Sequence, residues 1–317
     1  MFNNKVIHIE ISSKCTLKCP RCPRTELSPD SLHREITLAE FKQAFPAQVL
    51  ADVHKIIFCG DIGDPIYAKD LVLICAYIKS NSDTSIHIVT NGSYKNYDWW
   101  TGLGQTLTET DQVTFSVDGW DFQSNNQYRV NADFDSILIG ARTLRATSKC
   151  ILNWSAIYFS FNELHMDKIQ SLAVSLGFDS FQTVKSTKFD GRYAINGIDS
   201  LKPKNISNSG VYERTTLSVT NKTMPIIDYG IKKHNWARCL NHQKELFINV
   251  DGLVFPCPWF NSGYQQNSFV QEHKDKLSIK TRSLSEVLQD DVWSELIQMF
   301  DTNPLEVCKI KCKHGQS

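Results

Sequence analysis

The chain has 317 residues, and its 34 lysines and arginines are balanced by 34 aspartates and glutamates, so the formal net charge is zero. That balance gives no nucleic-acid signal and excludes wholesale attraction to anionic membranes, while no run approaches the roughly 18 apolar residues of a spanning helix. The N-terminus lacks the apolar core and cleavage site of a secretory leader, so the ten cysteines are expected in a soluble, cytoplasmic protein, where thiols serve metal or redox chemistry rather than disulfides.

Residues Lys5–Ile11 alternate with period two and read as a first strand. Directly after it comes Cys15-Thr-Leu-Lys-Cys19-Pro-Arg-Cys22, a C-x3-C-x2-C loop. Thr37 and Glu40 have the spacing of a capping box, opening a helix whose apolar face carries Leu38, Phe41, Ala44 and Phe45. His54–Cys59 is a second strand, Leu71–Ile78 a second helix, and Ser85–Thr90 a third strand stopped by Asn91-Gly92. Gln112–Val117 is the fourth strand, stopped by Asp118-Gly119, with Phe134–Leu144 as its helix. Ile151–Phe161 is the fifth, followed by a helix over Leu164–Leu176 that Gly177 closes, and Phe181–Val184 is the sixth.

Six strands at about 30-residue spacing, separated by helical segments, imply right-handed βαβ units and a parallel sheet curled into a partial (β/α)6 TIM-like barrel of the α/β class. In such a sheet the chemistry gathers in loops at the strands' C-terminal ends. The cysteine loop, Gly60–Pro65, Asn91-Gly92 and Asp118-Gly119 all fall there. We therefore expect a core barrel over residues 1–186 and an irregular connector over 187–235, with room for a short strand at Thr216–Val219. A small α+β domain over 236–317 follows, with a hairpin around Asp251-Gly252 and a helix over Ser285–Phe300.

Three thiolates are one fewer than a structural zinc site or a fully ligated iron–sulfur cluster needs. A [4Fe–4S] cube held by Cys15, Cys19 and Cys22 keeps one iron open to a chelating small molecule. S-adenosylmethionine, through its amino and carboxylate groups, is such a molecule, and an electron from the cube can then cleave a carbon–sulfur bond to give a 5′-deoxyadenosyl radical.

The loop after a first strand, with the motifs that follow it over about residues 5–185, resembles the radical SAM superfamily. The resemblance implies that Gly60-Asp-Ile-Gly63-Asp64-Pro65 receives the methionine amino group, with Gly63 and Asp64 as contacts and Asp64 standing for a glutamate. It also implies that Asn91, Ser116 and Asp118 lie near the ribose and carboxylate, and that Arg129 points toward that carboxylate. Arg21, before the third cysteine, stands where the family commonly has an aromatic residue near the adenine. The C-terminal part resembles the SPASM domain, or its shortened twitch form, through Cys239-x12-Gly252-x4-Cys257 and the later pair Cys308-x3-Cys312. These cysteines would saturate an auxiliary [4Fe–4S] cluster, with His314 as a reserve ligand.

Blander readings compete at each position. Cys15, Cys19 and Cys22 with a fourth ligand, or the four C-terminal cysteines by themselves, would also suit zinc. Cys75 and Cys150 fall in apolar patterns and read as buried small hydrophobes, and Cys59 reads as core or as a pocket-lining residue. Asp64, Asn91 and Asp118 are also ordinary turn residues. His8 and His165 read as ordinary histidines, and Trp154 and Trp259 are the tryptophans nearest the expected chemistry.

The combined reading is a radical SAM enzyme that abstracts hydrogen from an unidentified substrate, with net oxidation assisted by the auxiliary cluster. The rivals are a redox-neutral epimerase or rearrangement enzyme, with Cys59 or Cys150 as hydrogen donor, and a non-catalytic iron–sulfur or zinc-binding electron-transfer protein. An electron donor such as flavodoxin or ferredoxin is implied as a partner. Only 14 residues precede Cys15, which leads us to expect a small-molecule substrate, or a peptide delivered by a partner.

Overall fold

In the computed structural model, residues 5–27, 33–186, 189, 199–206, 212–217, 245–261, 265 and 267–302 are described. Six parallel strands follow one another in space as they do in sequence: β1 (Lys5–Ile9), β2 (Val53–Phe58), β3 (Ser85–Thr90), β4 (Gln112–Ser116), β5 (Ile151–Ile157) and β6 (Ser180–Val184). Three more strands extend this sheet. β7 (Tyr212–Thr216) pairs antiparallel with β6, and β8 (Glu245–Ile248) pairs parallel with β1, while β9 (Val254–Phe255) pairs antiparallel with β8. The order is β7-β6-β5-β4-β3-β2-β1-β8-β9, an open sheet of nine strands.

The crossovers carry the expected helices: α1 (Pro23–Leu27), α2 (Leu38–Ala44), α3 (Ala47–Leu50), α4 (Leu71–Asn81), α5 (Tyr97–Thr106), α6 (Phe122–Asn126), α7 (Phe134–Thr147) and α8 (Met166–Ser175). The capping box at Thr37 and Glu40 is formed in both directions. Among the described residues no helix is long and apolar enough to cross a membrane.

Several boundaries differ from the sequence expectation for local reasons. The fifth strand ends at Ile157, because Asp118 Oδ1 takes the Ile157 N–H (2.7 Å) and the Asn162 side chain then organises a turn by accepting from Phe159 N (2.7 Å). The helix expected over 285–300 is two helices, Leu284–Gln289 and Asp291–Thr302. Asp290 breaks it with an extended backbone, accepting Val292 N (3.0 Å) to start the second helix. A connector strand lies at Tyr212–Thr216; of the strand expected at Thr216–Val219, residues 218 and 219 lie outside the described residues. The C-terminal hairpin is built into the main sheet through β1 rather than standing apart. Its turn depends on Gly252, whose φ of +79° is a conformation an L side chain resists.

One face of the sheet is oily and the other carries most of its polar residues. Ile7, Ile9, Ile56, Phe58, Ile86, Ile88, Val113, Phe115, Leu152 and Trp154 are buried in the core. The alternate positions, aligned by register, include His8, Lys55, His87, Gln112, Thr114, Asn153, Ser155, Gln182 and Arg214, interspersed with Val6, Ile57, Val89, Ile151, Ile157 and Val184. Within this set His8, His87, Gln112, Ser155 and Gln182 are only half-buried. Lys55 on β2 and Arg214 on β7 would stand about 24 Å apart in a flat sheet. Yet they sense each other electrostatically, so the sheet curls and its polar face lines a lumen.

Candidate functional site

The site lies at the C-terminal rim of β1 to β4. Beyond β1 the chain continues through Glu10 and Ser12 into the cysteine loop. Loop 60–64 folds against it, with Asp64 N donating to Lys14 O (2.9 Å). The approach is so close that a Cβ on Gly63 would fall 1.7 Å from Ser12 O. This is why a glycine stands at that position, independent of any ligand.

Glu10 is the residue that sequence reasoning passed over. It is 1% exposed, and its Oε1 accepts the N–H groups of Asp61 (2.8 Å), Ile62 (2.6 Å) and Gly63 (3.4 Å). One carboxyl oxygen therefore holds the whole loop. Its Oε2 is sealed from solvent without a partner, and burial pushes the group up to about 7. The available signal was a carboxylate at the end of an apolar strand, five residues before the first cysteine.

Asp64 is 6% exposed and fully committed. Its Oδ1 accepts from Thr90 Oγ1 (2.8 Å) and Ile66 N (3.2 Å), and its Oδ2 from Asn91 N (2.7 Å) and Asn91 Nδ2 (2.6 Å). Burial pushes its pKa up while these donors pull it back. With four donors on two oxygens, its visible work is to lock the loops after β2 and β3 together. Asn91 also reaches the cysteines, its Nδ2 lying 3.6 Å from Cys15 Sγ.

Cys15 and Cys22 are half-buried and Cys19 is buried. Burial first, then the Asp64 carboxylate and the two other thiols, push Cys15 up to about 12. Their mutual influence puts the three sulfurs in one neighbourhood. Among the described residues no three Cys, His, Asp or Glu side chains close on a single ion-sized position. The donor set, three soft thiols on one loop at a buried rim, fits the cube.

On the next strand Asp118 is wholly buried. Its Oδ2 accepts from Arg129 Nε (2.6 Å) and its Oδ1 from Ile157 N (2.7 Å). Burial opposes the Arg129 charge, but Asp118 and then Cys19 outweigh it and leave its pKa raised. Arg129 uses only Nε on Asp118. Ser116 lies half-buried on the lumen face at the end of β4. Arg21 pairs with Asp199 and lies over the Phe189 ring at 5.0 Å.

Cys257 is half-buried at the head of the helix Pro258–Asn261. That helix meets the rim, since Asn261 Nδ2 donates to Asp61 Oδ2 (3.3 Å) and Asn249 Nδ2 to Asn261 Oδ1 (3.1 Å). Cys239, Cys308, Cys312 and His314 lie outside the described residues. Cys75 and Cys150 are fully buried, Trp154 is a core residue donating to Val117 O (2.9 Å), and Trp259 is half exposed. His165 rests edge-on against Trp120.

Comparison with known proteins places these features in context. Residues 239–313 match the SPASM family, described as an iron-sulfur cluster-binding domain. No curated protein matches the chain in sequence. Among solved structures, Streptococcus suis SuiB bound to S-adenosylmethionine superposes with a TM-score of 0.55 at 14% identity, over 81% of this chain and 61% of that one. SuiB bound to its precursor peptide SuiA gives 0.58 at 15% identity, over 82% and 61%. Native anSMEcpe with bound AdoMet gives 0.56 at 17% identity, over 97% of this chain and 86% of that one. The fold is thus the open α/β barrel that these proteins share, and the chain spans about three fifths of the length of SuiB.

Proposed function

We propose that the chain is a radical SAM enzyme with an auxiliary iron–sulfur cluster, and that it abstracts hydrogen from a substrate held in the polar lumen. The carrying observation is the cysteine loop at the strand rim, tied by Asn91 and Asp64 to the loops after β2 and β3. The SPASM match and the shared fold support the same reading. Cys15, Cys19 and Cys22 would hold the first cluster, and Cys239, Cys257, Cys308 and Cys312 the second. Together with S-adenosylmethionine the first cluster supplies, when bound, a 5′-deoxyadenosyl radical able to take hydrogen from an unactivated carbon.

The chain's own groups prepare the rim for this. Glu10 and Asp64 freeze loop 60–64 and present its backbone toward the cysteines. Asp118 fixes Arg129 through Nε, leaving the outer guanidinium nitrogens to meet a carboxylate. The half-buried polar residues of the lumen suit a hydrophilic substrate, either a small molecule or a peptide side chain. SuiB was solved with a precursor peptide and anSMEcpe with the Cp18Cys peptide, which supports the peptide alternative. In the leading version the outcome is net oxidation, with an external electron donor of the flavodoxin or ferredoxin kind.

One observation favours a redox-neutral second reading. Cys59 stands at the lumen rim with His8 Nδ1 4.0 Å from its sulfur, and burial, then Glu10, push its thiol up to about 12. A neutral S–H is the form that returns hydrogen to a carbon radical. Cys150, by contrast, is sealed in the core just before β5, at the opposite end of the sheet.

Anaerobic reconstitution followed by iron counting and analysis for 5′-deoxyadenosine tests the proposal. About eight irons with S-adenosylmethionine cleavage are expected, falling to about four without cleavage when Cys15, Cys19 and Cys22 are replaced by alanine. A loaded protein that never cleaves S-adenosylmethionine sinks the enzymatic reading in favour of an electron-transfer protein.

A further inference from the structure

Below the rim, the floor of the lumen is basic. Lys55 is 7% exposed, and its ammonium has no hydrogen-bond or ion-pair partner among the described residues. Burial and the nearby Arg214 guanidinium both work against its charge. His87 on the neighbouring strand uses Nε2 on Thr114 Oγ1 (2.8 Å), and its Nδ1 has no partner among the described residues. Burial, Lys55, Arg214 and His8 hold this imidazole down at about 3.

Only Asp111 favours the Lys55 charge, and it does so from a distance, without a hydrogen bond or ion pair to the ammonium. Asp111, the nearest, is consumed by Lys79 Nζ (3.0 Å), Ile86 N (2.7 Å) and Thr108 N (2.7 Å). Glu245 lies on β8 beyond Val6, and Glu10 and Asp61 stand at the opposite end of the lumen. Lys55 and His87 are diagonal neighbours on one face of β2 and β3, and they sense His8, beside Cys59, and the exposed Arg214, which bonds Gln182 Oε1 (2.8 Å). Val6, Ser85 and Ile57 flank the two groups on the same face, and beyond His87 the lining is polar and neutral, since Thr114 also takes Asn153 Nδ2 (3.3 Å) and Gln112 Nε2 (3.2 Å). The Lys55 ammonium is not sealed from solvent, but burial works against its charge, and an anion beside it offsets that effect.

We infer that Lys55 and His87 form an anion subsite: the molecule bound in the lumen carries a carboxylate or phosphate that sits on the Lys55 ammonium and the His87 ring. Four residue steps along β2 separate Lys55 from Cys59 at the rim, about 13 Å. The ligand is therefore an elongated oxyanion whose charged end lies at the floor and whose other end reaches the cysteine loop. This rests on the reading of the lumen as the substrate chamber. It extends that reading by naming what the substrate must carry. Binding an anion favours the protonated forms of both groups, so it takes up protons and weakens as pH rises.

Isothermal titration of the iron-loaded protein tests the subsite with three probes: inorganic phosphate, glutarate and the neutral glutaramide. Saturable binding of at least one anion is expected, with none for glutaramide, and the phosphate and glutarate arms decide which oxyanion fits. Titration in two buffers of different ionisation enthalpy should register proton uptake on binding. Lys55→Met should weaken the anion about tenfold or more, Lys55→Arg should retain it, and His87→Gln should diminish the proton uptake. The inference is overturned if neither anion saturates at tens of millimolar, or if a folded Lys55→Met binds like the parent. Should Lys55→Met fail to fold, the His87→Gln titration decides instead, and unchanged proton uptake there refutes the subsite. Cleavage of S-adenosylmethionine is not part of the readout, so the enzymatic reading and the subsite fail separately.

Discussion

Replacing Glu10 with glutamine should remove a pH dependence from the protein's stability. Burial raises this carboxyl from its ordinary 4.5 to about 7, so the folded chain binds the proton more tightly than the unfolded one. Its stabilising contribution is then fully present below about pH 4.5 and is lost as pH rises through 7. A difference of about 2.5 pKa units corresponds to about 3 kcal/mol. At 1% exposure there is little solvent to screen it. The geometry agrees, because Oε1 serves as a carbonyl-like acceptor for three N–H groups while the partnerless Oε2 is free to carry the proton. Glutamine keeps an acceptor for those three donors and cannot ionise. Urea unfolding at pH 5, 6, 7 and 8 should therefore find the variant near the parent at pH 5. At pH 8 it should be more stable by up to about 3 kcal/mol. A variant-minus-parent difference that stays flat between pH 5 and 8 would refute the assignment of a proton to the Glu10 carboxyl. Glu10→Ala separates the scaffold role from the titration. It leaves three loop donors unmet and should destabilise at every pH.

Other substitutions probe the same rim. Asp64→Asn places an amide N–H₂ against existing donors and forfeits two of four hydrogen bonds, which should cost about 2–4 kcal/mol in urea unfolding; a loss under about 0.5 kcal/mol would mean the carboxylate does not join the two loops. Gly63→Ala puts a methyl group onto Ser12 O and should cost about 1–3 kcal/mol, with weaker S-adenosylmethionine binding measured on the reconstituted protein. Arg129→Met strands the buried Asp118 carboxylate and should cost about 3 kcal/mol, partly restored by Arg129→Lys. Equal stability of Met and Lys variants would count against the pair.

Much of the fold was legible in the residue pattern. Strands of period two, separated by helix-sized segments and stopped at Asn91-Gly92 and Asp118-Gly119, leave few arrangements other than a parallel sheet with its loops on one rim. The cysteine loop was legible because its spacing sits next to a strand end. Glu10 was not, because its role is defined by three backbone N–H groups more than fifty residues away, and backbone donors carry no sequence signature. The same applies to Asp64. Its residue type matched the position expected from resemblance, but its oxygens are spent on Thr90 and Asn91, partners that only the folded loops bring together, and on the nearby Ile66 N–H.

The sequence by itself determined the order of the strands and the rim on which its cysteines gather. Local periodicity and turn residues act over a few positions and survive without knowledge of the rest. Only the tertiary structure decided that the hairpin after residue 245 joins the main sheet beside β1, and that the sheet curls until Lys55 and Arg214 share one space. Curvature accumulates from the twist of many strand pairs, so no single segment encodes it. The lumen, its polar lining and its basic floor belong to that sum.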